Sequence, residues 1–164
     1  MFSQSQNSQF SSGSDGQNHF ESHPATAPQP AKGNQRLILL VEDNTDSRNM
    51  LRTLLELWSY RVIEAQNGEE AVRLARSEAP NLVLMDVAIP LIDGMEATRR
   101  IREFAAPEAM PVVFISGYAQ KGFRLTALAC GGNDYLVKPI DFKELETMLG
   151  RYFRITGTDY ELSE

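Results

Sequence analysis

The chain has 164 residues, with 22 acidic against 16 basic side chains, a net charge of −6 and one cysteine. That length supports a single domain whose core needs no disulfides, and one cysteine excludes an internal disulfide framework. The acidic balance argues against a nucleic-acid binder, no apolar run approaches the roughly 20 residues of a membrane span, and the polar N-terminus lacks the basic start and apolar centre of a signal peptide. A soluble, cytoplasmic protein is the reading these exclusions leave.

Residues 1–35 are dominated by Ser, Gln, Asn, Gly and Pro and are predicted to be a disordered tail, with Pro24, Pro28 and Pro30 making its end semi-extended. His19 and His23 would meet on a helix, but none is expected there, so they read as solvated. Leu37 to Val41 is an aliphatic run that stops at Glu42-Asp43-Asn44, which predicts a first strand delivering two acids to its carboxyl end. A helix follows, with Leu51, Leu54, Leu55 and Trp58 on one face. Arg61 to Ala65 reads as an edge strand of mixed polarity. Asn67 and Glu70 look like the cap and capping-box acid of a second helix, whose face is Ala71, Leu74 and Ala75 and which stops before Pro80.

Leu82 to Met85 is wholly apolar and ends on Asp86, the pattern of a buried parallel strand. Beyond a loop with Pro90 and Asp93-Gly94, Ala97, Ile101, Phe104 and Ala105 mark a third helix, and Pro107 and Pro111 break the chain. Val112 to Ile115 forms a fourth strand ending on Ser116-Gly117. A fourth helix, Lys121 to Ala129, rests on a thin stripe of Leu125, Leu128 and Ala129 and is closed by Gly131-Gly132. Cys130 beside it reads as a small buried or helix-terminal residue. Tyr135 to Val137 is the fifth strand, ending on Lys138-Pro139. Phe142, Leu145, Leu149 and Tyr152 lay down the last helix, and residues 155–164 are expected to fray as a short C-terminal tail.

Five β-then-α units predict an α/β fold with a parallel sheet covered on both faces and right-handed crossovers. In the flavodoxin-like (βα)5 order, 2-1-3-4-5, strands one and three are neighbours, so Glu42, Asp43 and Asp86 gather at the switch point, with Ser116 and Lys138 on the same edge. Three carboxylates together call for a positive charge, and Mg²⁺ with its oxygen ligands suits them. Those parts fit phosphoryl transfer onto a carboxylate, with Asp86 as nucleophile and Glu42 and Asp43 on the metal.

The blocks Val-Glu-Asp-Asn (41–44), Met-Asp-Val-Ala-Ile-Pro-Leu-Ile-Asp-Gly (85–94), Ile-Ser-Gly (115–117) and Asp-Tyr-Leu-Val-Lys-Pro (134–139) resemble, in that order, the signature blocks of receiver domains of two-component response regulators. The resemblance covers about Arg36 to Phe153 and assigns residues 36–154 to a receiver domain. It implies that Asp86 takes a phosphoryl group from a sensor histidine kinase or a phosphotransfer protein. It further implies that Glu42, Asp43, Asp86 and the backbone carbonyl of Ala88 bind Mg²⁺. Ser116 becomes the hydroxyl switch, Tyr135 the aromatic switch and Lys138 the phosphate-sensing lysine, followed by a cis Lys138–Pro139 bond. Output is then expected through the face of helix four, strand five and helix five, by contact with a downstream protein, from a monomer or a phosphorylation-dependent dimer. The few residues after helix five leave no room for an output module, so a stand-alone receiver is expected.

Plainer readings stand beside these: Tyr135 as core, Ser116 as a helix cap, Lys138 as a solvated lysine, and Trp58, Met85 and Met95 as packing residues. Two departures from the family pattern bear on kinetics. Ala88 offers no side chain to orient a water and Tyr118 is bulky, which together predict slow self-dephosphorylation. Gly132-Asn133 replaces a more usual Ala and acid and is expected to loosen the turn before strand five. Two other functions compete. One is a phosphorylation-independent interaction module of the same fold, against which intact Asp43, Asp86, Ser116 and Lys138 argue. The other is a Mg²⁺ phosphohydrolase, which needs a second acid where Ala88 stands.

Overall fold

Runs such as Leu37–Val41 and Leu82–Met85 have no polar face to offer water, so they fold only where helices cover both sides. The computed structural model describes residues 35–155. Residues 1–34 of the predicted disordered tail, with His19 and His23, and residues 156–164 of the predicted C-terminal tail lie outside the described residues, while Ile155, expected to fray, still belongs to the last helix. The elements alternate throughout: β1 (Leu37–Val41), α1 (Thr45–Leu57), β2 (Arg61–Ala65), α2 (Gly68–Glu78), β3 (Leu82–Asp86), α3 (Gly94–Arg102), β4 (Val112–Ser116), α4 (Lys121–Ala129), β5 (Asp134–Val137) and α5 (Phe142–Ile155). The five strands form one sheet of order β2-β1-β3-β4-β5, and every pairing is parallel. The parallel sheet is what the alternation predicts, and its order is the expected flavodoxin-like one. Among the described residues, no helix is long and apolar enough to cross a membrane.

Because side chains alternate along a strand, each strand feeds two cores. Leu39, Val41, Val83, Met85, Val112 and Phe114 face α2, α3 and α4, where Ala71, Ala75, Ala97, Ile101 and Ala127 complete one cluster. Ile38, Leu40, Leu82, Leu84, Val113 and Ile115 face α1 and α5, where Leu51, Leu55, Leu145, Met148 and Leu149 complete the other. All five residues of β3 and of β4 are buried, whereas β2 is half-exposed at the sheet edge. Met85 and Met95 are buried packing residues and Trp58 packs on the α1/α5 cluster, as expected.

Four helices start on short polar caps, α5 on Asp141, which accepts the N–H of Lys143 (2.8 Å) and of Glu144 (3.2 Å). Asn44, Asn67 and Asp93 accept the backbone N–H of Ser47 (2.9 Å), Glu70 (2.8 Å) and Glu96 (2.8 Å). The Glu70 carboxylate reaches back to the N–H of Gln66 (2.9 Å), one residue before the capping-box position.

Three local expectations need correction. Helix α3 ends at Arg102, so Phe104 and Ala105 pack on the core from the turn after it. The helix closes there on tightened bonds, the Glu103 N–H to the Arg100 carbonyl (3.2 Å) and the Phe104 N–H to that of Ile101 (3.1 Å), and the Arg102 guanidinium binds the following turn through the carbonyls of Ala105 (3.3 Å) and Met110 (2.9 Å). Helix α4 has the predicted bounds but a different buried face. Ala127 and Phe123 meet the core, and Leu125 is 57 % exposed. Phe114 already fills the space below α4, so a small residue is what fits.

The turn before β5 is tied rather than loose. Asn133 accepts from the N–H of Val112 (2.9 Å) and from Arg102 Nη2 (2.9 Å), and it donates to the Pro107 carbonyl (3.2 Å). A β-carbon on Gly132 would press into the Phe114 ring, so that glycine is dictated by packing.

Candidate functional site

Parallel pairing brings the carboxyl ends of β1, β3, β4 and β5 to one edge, and each strand switches there from apolar to polar. Glu42 follows β1 and is 2 % exposed, while Asp86 ends β3 and is 4 % exposed. Asp43 is exposed beside them. One carboxylate oxygen from each of the three lies within 4.8 Å of the others. Such a set of hard oxygen donors, open on the Asp43 side, fits a small divalent cation such as Mg²⁺.

Lys138 enters from the end of β5. Its Nζ donates to Asp86 Oδ2 at 2.7 Å and to Glu42 Oε2 at 2.8 Å. The arm is anchored by the Lys138 N–H bonding the Ser116 carbonyl at 2.8 Å, and the Lys138–Pro139 peptide bond is cis. Burial works against the ammonium charge, but hydrogen bonds and attraction from Asp86 and Glu42 outweigh it and hold Lys138 above the ordinary lysine range. The two buried acids are otherwise satisfied by backbone. Asp86 Oδ1 accepts the N–H of Ala88 (3.0 Å) and Glu42 Oε1 accepts that of Asn44 (3.1 Å). Gly94 lets α3 start against the end of β3, because a β-carbon there would overlap the Asp86 carbonyl oxygen.

Ser116 closes β4 with its hydroxyl inside the protein, 1 % exposed, accepting the N–H of Tyr118 at 3.1 Å. It caps no helix, since α4 begins after Gln120. Tyr135, 2 % exposed, donates its hydroxyl to the carbonyl of the same Tyr118 at 2.6 Å. The backbone of Tyr118 therefore touches both Ser116 and Tyr135. Its ring lies 4.6 Å from that of Phe123, which meets Tyr135 edge-on at 6.5 Å.

One residue at the site went unread in the sequence. Arg48 of α1 is 8 % exposed and donates through Nη1 to the carbonyls of Glu42 (2.9 Å) and Asp43 (3.3 Å). Its Nε lies 3.3 Å from a Glu64 oxygen on β2. The available signal was a cation at the i position of a stripe continued by Leu51 and Leu55, where an apolar residue belongs.

Comparison with known proteins defines the class. Residues 38–150 match the sequence model of the response regulator receiver domain. An uncharacterized 14.6 kDa protein of Leptolyngbya boryana is 41 % identical over 115 residues, 70 % of this chain and 88 % of that protein. The receiver domain of the sensor histidine kinase PA1611 of Pseudomonas aeruginosa, solved with magnesium coordinated in its active-site cleft, superposes with a TM-score of 0.68 at 36 % identity, covering 74 % of this chain and 99 % of that one. The receiver domain of Saccharomyces cerevisiae Ssk1, solved with the histidine phosphotransfer protein Ypd1, superposes at 0.70 with 27 % identity over 77 % and 94 % of the two chains. The chain spans only about half the length of the ycf27 transcriptional regulators it also matches, 50 % in Cyanophora paradoxa. The chain belongs to the response regulator receiver domain family.

Proposed function

We propose that this receiver is a cytoplasmic phosphorylation switch in which Asp86 accepts a phosphoryl group from the phosphohistidine of a sensor histidine kinase or phosphotransfer protein. The observation that carries this reading is the single ammonium of Lys138 bonded to both Asp86 and Glu42, with Asp43 alongside. Glu42, Asp43, Asp86 and the carbonyl of Ala88 would hold Mg²⁺, which supplies positive charge for the phosphoryl oxygens. The magnesium in the PA1611 receiver and the phosphotransfer partner of Ssk1 support both assignments.

An Asp86 oxygen forms the new bond to phosphorus as the phosphorus–nitrogen bond of the donor histidine breaks, and the released imidazole takes up a proton. Lys138 transfers its hydrogen bond from the Asp86 carboxylate to the phosphoryl group. Ser116 turns its hydroxyl toward the same group and gives up the Tyr118 N–H. Tyr118 carries the Tyr135 hydroxyl on its carbonyl, so moving that backbone biases Tyr135 and the α4–β5–α5 face. That face exposes Leu125 and Val137. On it Asp134 ties α4 to α5 through Arg124 (3.4 Å) and Arg151 (3.3 Å), and the face would contact a downstream protein. Whether the receiver acts as a monomer or as a phosphorylation-dependent dimer is read by sizing the phosphorylated form.

Incubation with Mg²⁺ and acetyl phosphate tests the reading. One phosphoryl group per chain, lost in hydroxylamine and absent from Asp86→Asn, is the expected result. No adduct would favour a phosphorylation-independent interaction module, and steady release of phosphate a hydrolase. The adduct is long-lived, because Ala88 presents no polar side chain to an attacking water. Ala88→Asn is expected to shorten its lifetime on the order of tenfold, equivalent to ~1.4 kcal/mol of transition-state stabilisation. Phosphate release from the two purified proteins checks this, and equal lifetimes contradict it.

A further inference from the structure

The acids of the site stand on a short turn, and what holds that turn is an arginine no catalytic step uses. Arg48 is buried on α1 with its guanidinium against the turn's main chain, bonding the carbonyls of both Glu42 and Asp43. We propose that Arg48 is a positioning residue for the divalent cation: it fixes the Glu42–Asp43 backbone so that the two carboxylates converge with that of Asp86, and Glu64 of β2 holds Arg48 in place. This inference rests on the metal assignment made above.

Two features argue for the role. Nη1 serves two successive carbonyls, at 2.9 and 3.3 Å, so the guanidinium restrains the orientation of adjacent peptide groups rather than one. A planar fork does this with less conformational loss than an ammonium. The charge balance is the second feature. A buried cation behind a cation site would weaken metal binding, but the Glu64 carboxylate lies 3.3 Å from Nε and matches the charge. The pair thus contributes geometry without adding net positive charge. Glu64 sits on the outermost strand, so an edge element reaches the centre of the site through one side chain.

The test is Mg²⁺ titration of the full chain by calorimetry, with circular dichroism to verify the fold. Loss of a group that orients metal ligands weakens binding by roughly 10- to 100-fold. Arg48→Lys keeps the charge but not the fork, and Glu64→Gln leaves Arg48 unmatched without emptying the core. Each is expected to fall in that range, with Arg48→Lys the weaker binder. Arg52→Ala is the control. Arg52 also approaches Glu64, at 3.7 Å, but no bond joins it to the two carbonyls, so its affinity is expected to stay within about twofold of wild type. Wild-type affinity in a folded Arg48→Lys, or an equal loss in Arg52→Ala, overturns the positioning role while leaving the metal site standing. A wild-type chain that binds no Mg²⁺ brings down both.

Discussion

Lys138→Ala is expected to uncouple phosphorylation from conformational change and, without divalent cation, to destabilise the protein by about 3 kcal/mol. Truncation leaves Glu42 and Asp86 facing each other at 2 % and 4 % exposure with no cation between them, and breaking a largely buried pair from one side leaves an uncompensated charge. Urea unfolding at neutral pH with a chelator, followed by the fluorescence of Trp58, measures the loss. Saturating Mg²⁺ is expected to restore the variant more than it stabilises wild type, because under the proposed metal assignment the ion and the ammonium would answer the same carboxylates. Equal stabilisation of the two proteins by Mg²⁺ would contradict this. The pair also has a pH signature. Lys138 titrates higher in the folded protein than in the unfolded chain, so its contribution is complete below the unfolded lysine value, about 10.4, and is lost as pH rises through the higher folded value. Wild type should therefore lose more stability above that pH than Lys138→Ala does.

Arg102→Ala is expected to cost about 3 kcal/mol of folding stability with the site's chemistry untouched. Its guanidinium donates to the carbonyls of Gly131 (2.8 Å), Met110 (2.9 Å) and Ala105 (3.3 Å) and to Asn133 Oδ1 (2.9 Å). It thereby sews the end of α3 to the entries of β4 and β5. Each acceptor stripped of a donor in a half-buried setting costs on the order of 1 kcal/mol. Asn133→Ala breaks the same network, so the double variant should lose clearly less than the sum of the two singles. Denaturant midpoints of the three proteins decide the matter. A loss below about 1 kcal/mol for Arg102→Ala, or simple additivity, would show that the network is not cooperative.

The sequence made some of this architecture plain and hid the rest for physical reasons. Buried parallel strands need no alternation, so the runs ending at Val41, Met85 and Ile115 were visible as strands. The change from apolar to polar at each strand end marked Glu42, Asp43, Asp86, Ser116 and Lys138 together. Helix α4 was legible in extent but not in orientation, since Phe114 occupies the space beneath it and the residue that packs there is Ala127, a type that carries little hydrophobic signal. Arg102 and Asn133 were unreadable because their partnership spans 31 residues and no local spacing encodes it. That Lys138 bonds Glu42 and Asp86 is likewise a fact of three-dimensional register.

Borohydride trapping tests the central claim most directly. Reduction of an aspartyl phosphate leaves homoserine at the modified position, which peptide mass mapping locates. After incubation with Mg²⁺ and acetyl phosphate, homoserine is expected at position 86 alone and is absent when the cation is chelated. Homoserine at position 43, or at no position, would contradict the assignment of Asp86 as the phosphoryl acceptor.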